Sequence, residues 1–448
     1  MNIKFLLSHT LEVYGMLEEQ NRPADAVLSA YLRARKYLGS HDRRFISETI
    51  FGLLRQELTL KTLAKEALSE SGMTERAVPL VSLYFFILKS KSVPQKPLIE
   101  ALEELTPLEA DELKMLAAYF EAHGSFSGDH SAASLSQRYA FPEWMTQMLL
   151  CDYGQEELEK LYAALNEPAA VTLRANTLVM SRDELQKRLG DEGVPTTPGM
   201  LSPDALICKG RPRVMQTQSF KEGLCEIQDE GSQLISILLN AKPKAKVLDA
   251  CAGGGGKTLH IATLMHNKGD VYAYDANEKR FGNITIRIRR SGLQNIRLLD
   301  SPKKLEKFKQ EFAGKIDALL LDAPCTGSGT VRRNPDLKRR LTQESLERIQ
   351  QEQQTIINEY APLLKPGGTM VYATCSFFKQ ENEDIVTRFL SEHLDFKLVP
   401  IPEALEQMKV GFDLSGLKAR FKDKTYMKLT PHCDNTDGFF AAVLTRTA

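Results

Sequence analysis

The chain has 448 residues, a formal net charge of +0, 42% hydrophobic residues and 26% charged ones. That length suits two or three domains with a large core, and the balanced charge excludes a global basic field. Any nucleic-acid surface must therefore come from local Lys and Arg clusters. The seven cysteines form no Cys-x-x-Cys pair, which argues against a disulfide scaffold and a structural zinc site. No metal is expected, and reduced thiols suit a cytoplasmic setting. His9 and Glu12 interrupt the apolar N-terminus, no small-residue cleavage site follows, and no apolar run approaches the roughly 18 residues of a membrane span. Neither a signal peptide nor a membrane partner is expected.

The first third reads as helices. Ile3, Leu6, Leu7, Leu11, Tyr14 and Leu17 share a helical face that ends at Asn21-Arg22-Pro23. Val27, Leu28, Tyr31 and Leu32 repeat the pattern. Asp42 is the expected N-cap of a third helix that turns Phe45, Ile46, Ile50, Leu53 and Leu54 inward. The polar stretch His123 to Asp129 reads as a boundary or surface loop. From 138 to 235 the texture is mixed, with one helix expected over Pro142 to Leu165 and a β-like run Val171-Thr172-Leu173-Arg174. Strand–helix alternation then begins near 236, the pattern of a doubly wound parallel sheet. The expected strands are Lys246 to Ala250, Val271 to Asp275, Ile296 to Leu299, Ile316 to Asp322, Thr369 to Thr374 and Phe439 to Leu444. The fold class is α/β, divided as 1–137 all-α, 138–235 small α+β and 236–448 doubly wound.

The strand Val247-Leu248-Asp249 runs into Ala250-Cys251-Ala252-Gly253-Gly254-Gly255-Gly256-Lys257-Thr258 and then a helix. Glycines let the backbone approach a ligand closely, and the helix N-terminus presents free N–H groups. Two ligands compete for this loop. A nucleotide P-loop would require glycine where Cys251 stands, although Leu319-Leu320-Leu321-Asp322 imitates its acidic partner strand. S-adenosylmethionine suits the loop too, because Asp275 ends the next strand about twenty residues on and can bind ribose hydroxyls. Asp300, after the third strand, can reach the adenine edge. The cofactor set is then Cys251, Ala252, Gly253, Gly254, Gly255, Gly256, Lys257, Asp275, Asp300 and Asp322.

Asp322-Ala323-Pro324-Cys325 follows one expected strand and Ala373-Thr374-Cys375 the next, the two cysteines 50 residues apart in sequence. If those strands are neighbours, their ends lie roughly 5 Å apart, at the carboxyl edge where open α/β sheets bind ligands. A lone cysteine is usually inert and buried, but a pair beside a cofactor loop suits one chemistry well. Carbon 5 of cytosine does not attack a methyl sulfonium unaided. A thiolate added at carbon 6 makes it nucleophilic, and a second group then assists release. Asp322 can hydrogen-bond or protonate the ring nitrogen and so stabilise the adduct. Spacing alone does not say which cysteine attacks.

At these residues the sequence resembles the Nop/Sun family of RNA 5-methylcytosine methyltransferases. The motifs are Asp249-Ala250-Cys251, Asp322-Ala323-Pro324-Cys325, Arg332-Arg333-Asn334-Pro335-Asp336, Lys365-Pro366-Gly367-Gly368, Val371-Tyr372-Ala373-Thr374-Cys375-Ser376, Glu381-Asn382-Glu383 and Asp437-Gly438-Phe439-Phe440. Arg174-Ala175-Asn176-Thr177 and Gln228 to Gln233 look like the small domain that precedes catalysis. Asp42 to Arg55 is similar to the NusB-like helical domain of bacterial members acting on 16S ribosomal RNA. The resemblance implies a Rossmann-like S-adenosylmethionine methyltransferase domain, with Cys375 as nucleophile, Cys325 aiding release and Asp322 beside the base. It also implies small-subunit ribosomal RNA as partner, and nothing demands more than a monomer.

Two basic groups are candidates for RNA. Arg280, Arg287 and Arg290 share a helical face, read equally well as solvated or RNA-facing. Arg332, Arg333, Lys338, Arg339 and Arg340 follow the Pro-Cys loop and are expected to touch RNA phosphates. One departure stands out: Gly253-Gly254 occupies the place of the family's usual Ala-Pro. Losing that proline adds an ordering cost of about 0.4–1 kcal/mol. Gly254→Pro is expected to tighten cofactor binding, and calorimetry showing unchanged or weaker affinity would contradict this.

Overall fold

A computed structural model describes residues 2–20, 22–124, 131–408 and 413–447. The chain divides into two compact units, Met1–Pro168 with Val331–Leu341, and Ala169–Thr330 with Thr342–Ala448. Among the described residues, no helix is long and apolar enough to cross a membrane.

The first unit is helical. Its opening helix, Ile3–Glu19, buries Leu6, Leu7, Tyr14 and Leu17 as the periodicity requires, and Ala24–Ala34 buries Val27, Leu28 and Tyr31. The third helix, Ser40–Glu70, is capped by Gly39 rather than Asp42. Asp42 sits one turn in, and its carboxylate accepts the Gly39 N–H at 2.9 Å. This is the second half of a capping box, which satisfies a donor the helix leaves free. The helix expected over Pro142 to Leu165 is two, Glu143–Tyr153 and Gln155–Leu165, broken at Gly154 with φ +72°. Most of the polar loop, residues 125–129, lies outside the described residues.

The second unit holds two sheets. Strands β1 (Thr172–Ala175), β2 (Thr196–Pro198), β3 (Ala205–Cys208) and β4 (Cys225–Ile227) form an antiparallel sheet in the order β2-β3-β1-β4. The larger sheet uses β5 (Lys246–Asp249), β6 (Asp270–Ala273), β7 (Ile296–Leu298), β8 (Ile316–Asp322), β9 (Leu364–Thr374), β10 (Phe396–Val399), β11 (Met427–Leu429) and β12 (Phe439–Arg446). Its order is β10-β12-β9-β8-β5-β6-β7, with β11 paired to β12.

Strands β5 to β9 run parallel; β5, β8 and the C-terminal half of β9 are buried over successive residues and so nearly continuously apolar. The final strand, expected as part of a parallel sheet, pairs antiparallel to β9 from Phe440↔Thr374 to Thr445↔Thr369. The sheet is therefore doubly wound with an antiparallel edge. Its strand order reverses between β5 and β8, which opens a crevice at their carboxyl ends.

Behind that crevice, the helix Gly256–Leu264 buries His260 completely, with Nε2 3.0 Å from Asp204 Oδ2. Burial, aided by the Arg174 charge, pulls the imidazole pKa down to about 4. Folded His260 thus stays neutral where the unfolded side chain, near 6.5, takes a proton. Stability must fall as pH drops from about 6.5 towards 4. Between pH 7 and 5 this group should remove roughly 2 kcal/mol. Urea unfolding at the two pH values should show that loss in the wild type and a smaller one in His260→Gln. Equal slopes in both proteins would contradict it.

Candidate active site

The carboxyl edge of the large sheet gathers the candidate residues in strand order. Cys375 follows β9, Asp322 ends β8 with Cys325 just beyond, the glycine loop follows β5, Asp275 follows β6, and Asp300 follows β7. Four steps of about 4.8 Å put the ends of this row about 19 Å apart.

Strands β8 and β9 are neighbours, with Asp322 opposite Ala373. The Sγ atoms of Cys325 and Cys375 are 3.3 Å apart. That separation follows from a buried carboxylate on which both cysteine loops converge. Glu381 is fully buried and accepts the Thr326 N–H at 2.8 Å, the Thr326 hydroxyl at 2.6 Å and a Gln353 N–H at 3.1 Å. It also accepts the Ser376 hydroxyl. Thr326 adjoins Cys325 and Ser376 adjoins Cys375, so one side chain ties both loops. Gly329 N–H donates to the Cys375 carbonyl at 2.9 Å, and a Cβ on Gly329 would lie 2.2 Å from the Gly438 carbonyl oxygen, so only glycine fits there. The Cys375 contact, burial and the Glu381 charge push the Cys325 thiol pKa well up. Cys325 is thereby kept protonated.

Lys257, in the first turn of its helix, places Nζ 2.6 Å from Asp322 Oδ2. Burial opposes its charge, but the Asp322 carboxylate and the nearby Cys375 raise its pKa above the usual lysine value. In the loop, Gly253 (φ +55°) and Gly255 (φ +80°) are left-handed, and a Cβ on Gly253 would meet open space. Ala252 N–H donates to the Tyr274 carbonyl at 2.8 Å, and Gly253 N–H to Asp275 Oδ2, also at 2.8 Å. Gly256 O accepts from Arg174 at 2.7 Å. The Cys251 thiol is pushed well up by burial, then by Asp249. Asp249 itself, fully buried under Thr258, is raised to about 7. Asp300 is partly exposed and paired with Lys304 at 2.7 Å.

Both basic groups have other occupations. Arg280 pairs with Asp275 at 2.9 Å, Arg287 with Glu226 at 2.9 Å, and Arg290 with Glu226 while stacking 4.0 Å from the Phe220 ring. The second group was expected on RNA phosphates, but Val331–Leu341 belongs to the helical unit. There Arg332 donates to the Glu167 and Pro168 carbonyls, Arg339 pairs with Glu18 and Glu57, and Arg340 pairs with Asp336. Lys338 is buried 3.8 Å from the Phe141 ring centre, and donates to Arg55 O (2.8 Å), Tyr139 O (3.2 Å) and Asn166 Oδ1 (2.6 Å). Burial and the Arg55 charge pull its pKa down, while three acceptors match the three protons of the ammonium form.

The sequence named Glu381 only within a motif and assigned it no role. Gln353, Thr326 and Ser376 carried no sequence signal for their part in its network, because their partners lie 28 to 55 residues away along the chain, apart from Ser376.

Lys338→Ala should cost the helical unit about 2–5 kcal/mol by orphaning buried acceptors, measured by urea unfolding. It should leave the salt dependence of RNA affinity unchanged. A stable variant whose log–log salt slope falls by about 0.7–0.9 would instead mark a phosphate contact.

The comparisons with known proteins agree with this geometry. Residues 236–445 match the model described as 16S rRNA methyltransferase RsmB/F, and 141–215 match the ferredoxin-like domain of the same proteins. The chain is 31% identical to a probable ribosomal RNA small subunit methyltransferase B of Synechocystis sp., covering 91% of this chain and 92% of that one. With the Bacillus subtilis protein of the same description it shares 30% identity over 96% of each. A solved methyltransferase homologue from Pyrococcus horikoshii is 28% identical, with a TM-score of 0.58 over 71% of this chain and all of that one. Together with the strand order and the paired thiols, these matches place the chain in the RsmB/F family of 16S rRNA methyltransferases.

Proposed function

We propose that this chain methylates carbon 5 of a cytosine in small-subunit ribosomal RNA, using S-adenosylmethionine and a covalent adduct on Cys375. The observation that carries the reading is the pair of thiols 3.3 Å apart beside the Lys257–Asp322 ion pair. The residues present fit the cofactor. Open space lies over Gly253, Gly255 takes a left-handed turn only glycine adopts readily, and Asp275 stands two residues past the end of β6. When bound there, S-adenosylmethionine supplies an electrophilic methyl group. A P-loop reading is disfavoured by Cys251 and by the family to which the chain belongs.

In this reading the Cys375 thiolate forms a bond to carbon 6 of the base. A proton shared by the Lys257–Asp322 pair passes through the Asp322 carboxyl to the ring nitrogen as the Cys375–carbon 6 bond forms, so the adduct carries no net negative charge, and it returns to the pair on release. Carbon 5 then takes the methyl group as the sulfonium carbon–sulfur bond breaks. Loss of the carbon-5 proton to water and cleavage of the carbon 6–Cys375 bond restore the aromatic ring. Cys325, kept as a thiol, donates a hydrogen bond to the departing Cys375 sulfur and so assists that release. The base must be unstacked for carbon 6 to be reached. We read residues 1–137 as a NusB-like RNA-binding part, 138–235 as a linking domain and 236–448 as the methyltransferase, acting as a monomer in the cytoplasm.

The test incubates protein, S-adenosylmethionine and undermodified small-subunit ribosomal RNA, followed by a denaturing gel. Cys325→Ala should trap a covalent RNA adduct and Cys375→Ala should not. The reverse pattern would swap the roles, and no adduct with no methyl transfer would overturn the reading.

A further inference from the structure

The glycine loop carries four consecutive glycines, Gly253 to Gly256, with no side chain of its own to stiffen it, yet three side chains fix its backbone. Asp275 accepts the Gly253 N–H, Arg174 donates to the Gly256 carbonyl, and Arg287 Nη1 donates to the Gly254 carbonyl. We propose that Arg287 is a positioning residue that presets this loop for S-adenosylmethionine, doing through its side chain what proline would do through the backbone. The inference rests on the reading of this loop as the cofactor site.

Arg287 is built to be rigid. It projects from the helix Arg280–Ser291 and is mostly buried. Its Nε and Nη2 both donate to Glu226 Oε2, at 3.1 and 2.9 Å. Glu226, on β4 of the small sheet and nearly fully buried, is itself held by Arg290 on its other oxygen. The planar guanidinium is thus fixed on one side and offers its remaining nitrogen to the loop. Arg287 is therefore occupied as a link between the small sheet and the cofactor loop.

Gly254 is the position where stiffening would act. Unlike Gly253 and Gly255 it is not left-handed, and among the described residues its N–H donates to no acceptor. Proline there would lose no hydrogen bond. A Cβ at this position would meet Arg287 Nη1 at 3.2 Å, so proline and arginine compete for the same space. Each should therefore matter most when the other is absent. The effects of the two changes should not add.

The test is calorimetry of S-adenosylmethionine binding to the full chain as wild type, Arg287→Gln, Gly254→Pro and the double variant. Arg290 still partners Glu226 in Arg287→Gln, so the fold should persist, checked by thermal unfolding. Arg287→Gln should weaken binding by about three- to tenfold. It should raise KM for the cofactor, with kcat at saturating cofactor within about twofold. Gly254→Pro alone should improve affinity by less than about twofold, and in the Arg287→Gln background should restore most of the loss. Wild-type affinity in Arg287→Gln would overturn the inference alone, as would a loss that proline does not restore. Absence of binding by the wild type would overturn the cofactor reading and this inference with it.

Discussion

The site depends on one pairing: β8 lies parallel against β9, with Asp322 opposite Ala373. Because both strands end at the same edge, the short loops that follow must share one small volume. Glu381 then draws the loops together, accepting from the residue next to each cysteine. A buried carboxylate with this many donors is costly to disturb, since any lost partner leaves charge in a dry site. Its charge also adds to the Cys375 contact and the burial that push the Cys325 thiol up.

The cofactor loop is controlled in the same indirect way. Four consecutive glycines would be floppy by themselves, but Asp275, Arg174 and Arg287 each fix a different backbone atom of the loop. Two of these anchors reach back to the small antiparallel sheet, through Arg174 on β1 and Glu226 on β4. That module therefore has a structural reason to accompany the larger sheet, independent of anything it does with RNA.

Much of this was legible in the sequence, for a physical reason. Strands buried on both faces must be apolar throughout, so β5, β8 and β9 announced themselves, as did the loops that follow them. The strands β2, β4, β10 and β11 lack that signature, because each mixes buried and exposed residues over three or four positions. The direction of β12 was also hidden, because periodicity reports burial and not orientation. Gly154 divided one expected helix into two, and Asp42 served one turn inside the helix it was expected to cap. The protein partners of the basic run from Arg332 to Arg340 were not legible. Its charges read as a surface for phosphate, yet they meet carbonyls and carboxylates of the helical unit that stand up to 322 residues away in sequence. Charge patterning cannot show such partners.

The central claim is that carbon 5 of cytosine receives the methyl group, and this predicts a specific loss. Ribosomal RNA carrying tritium at cytosine carbon 5 should release tritium to water as methyl groups are incorporated from S-adenosylmethionine, with the two counts equal after correction for the labelled fraction. Cys375→Ser should abolish both. Methyl incorporation without tritium release would place the methyl group elsewhere and contradict the account.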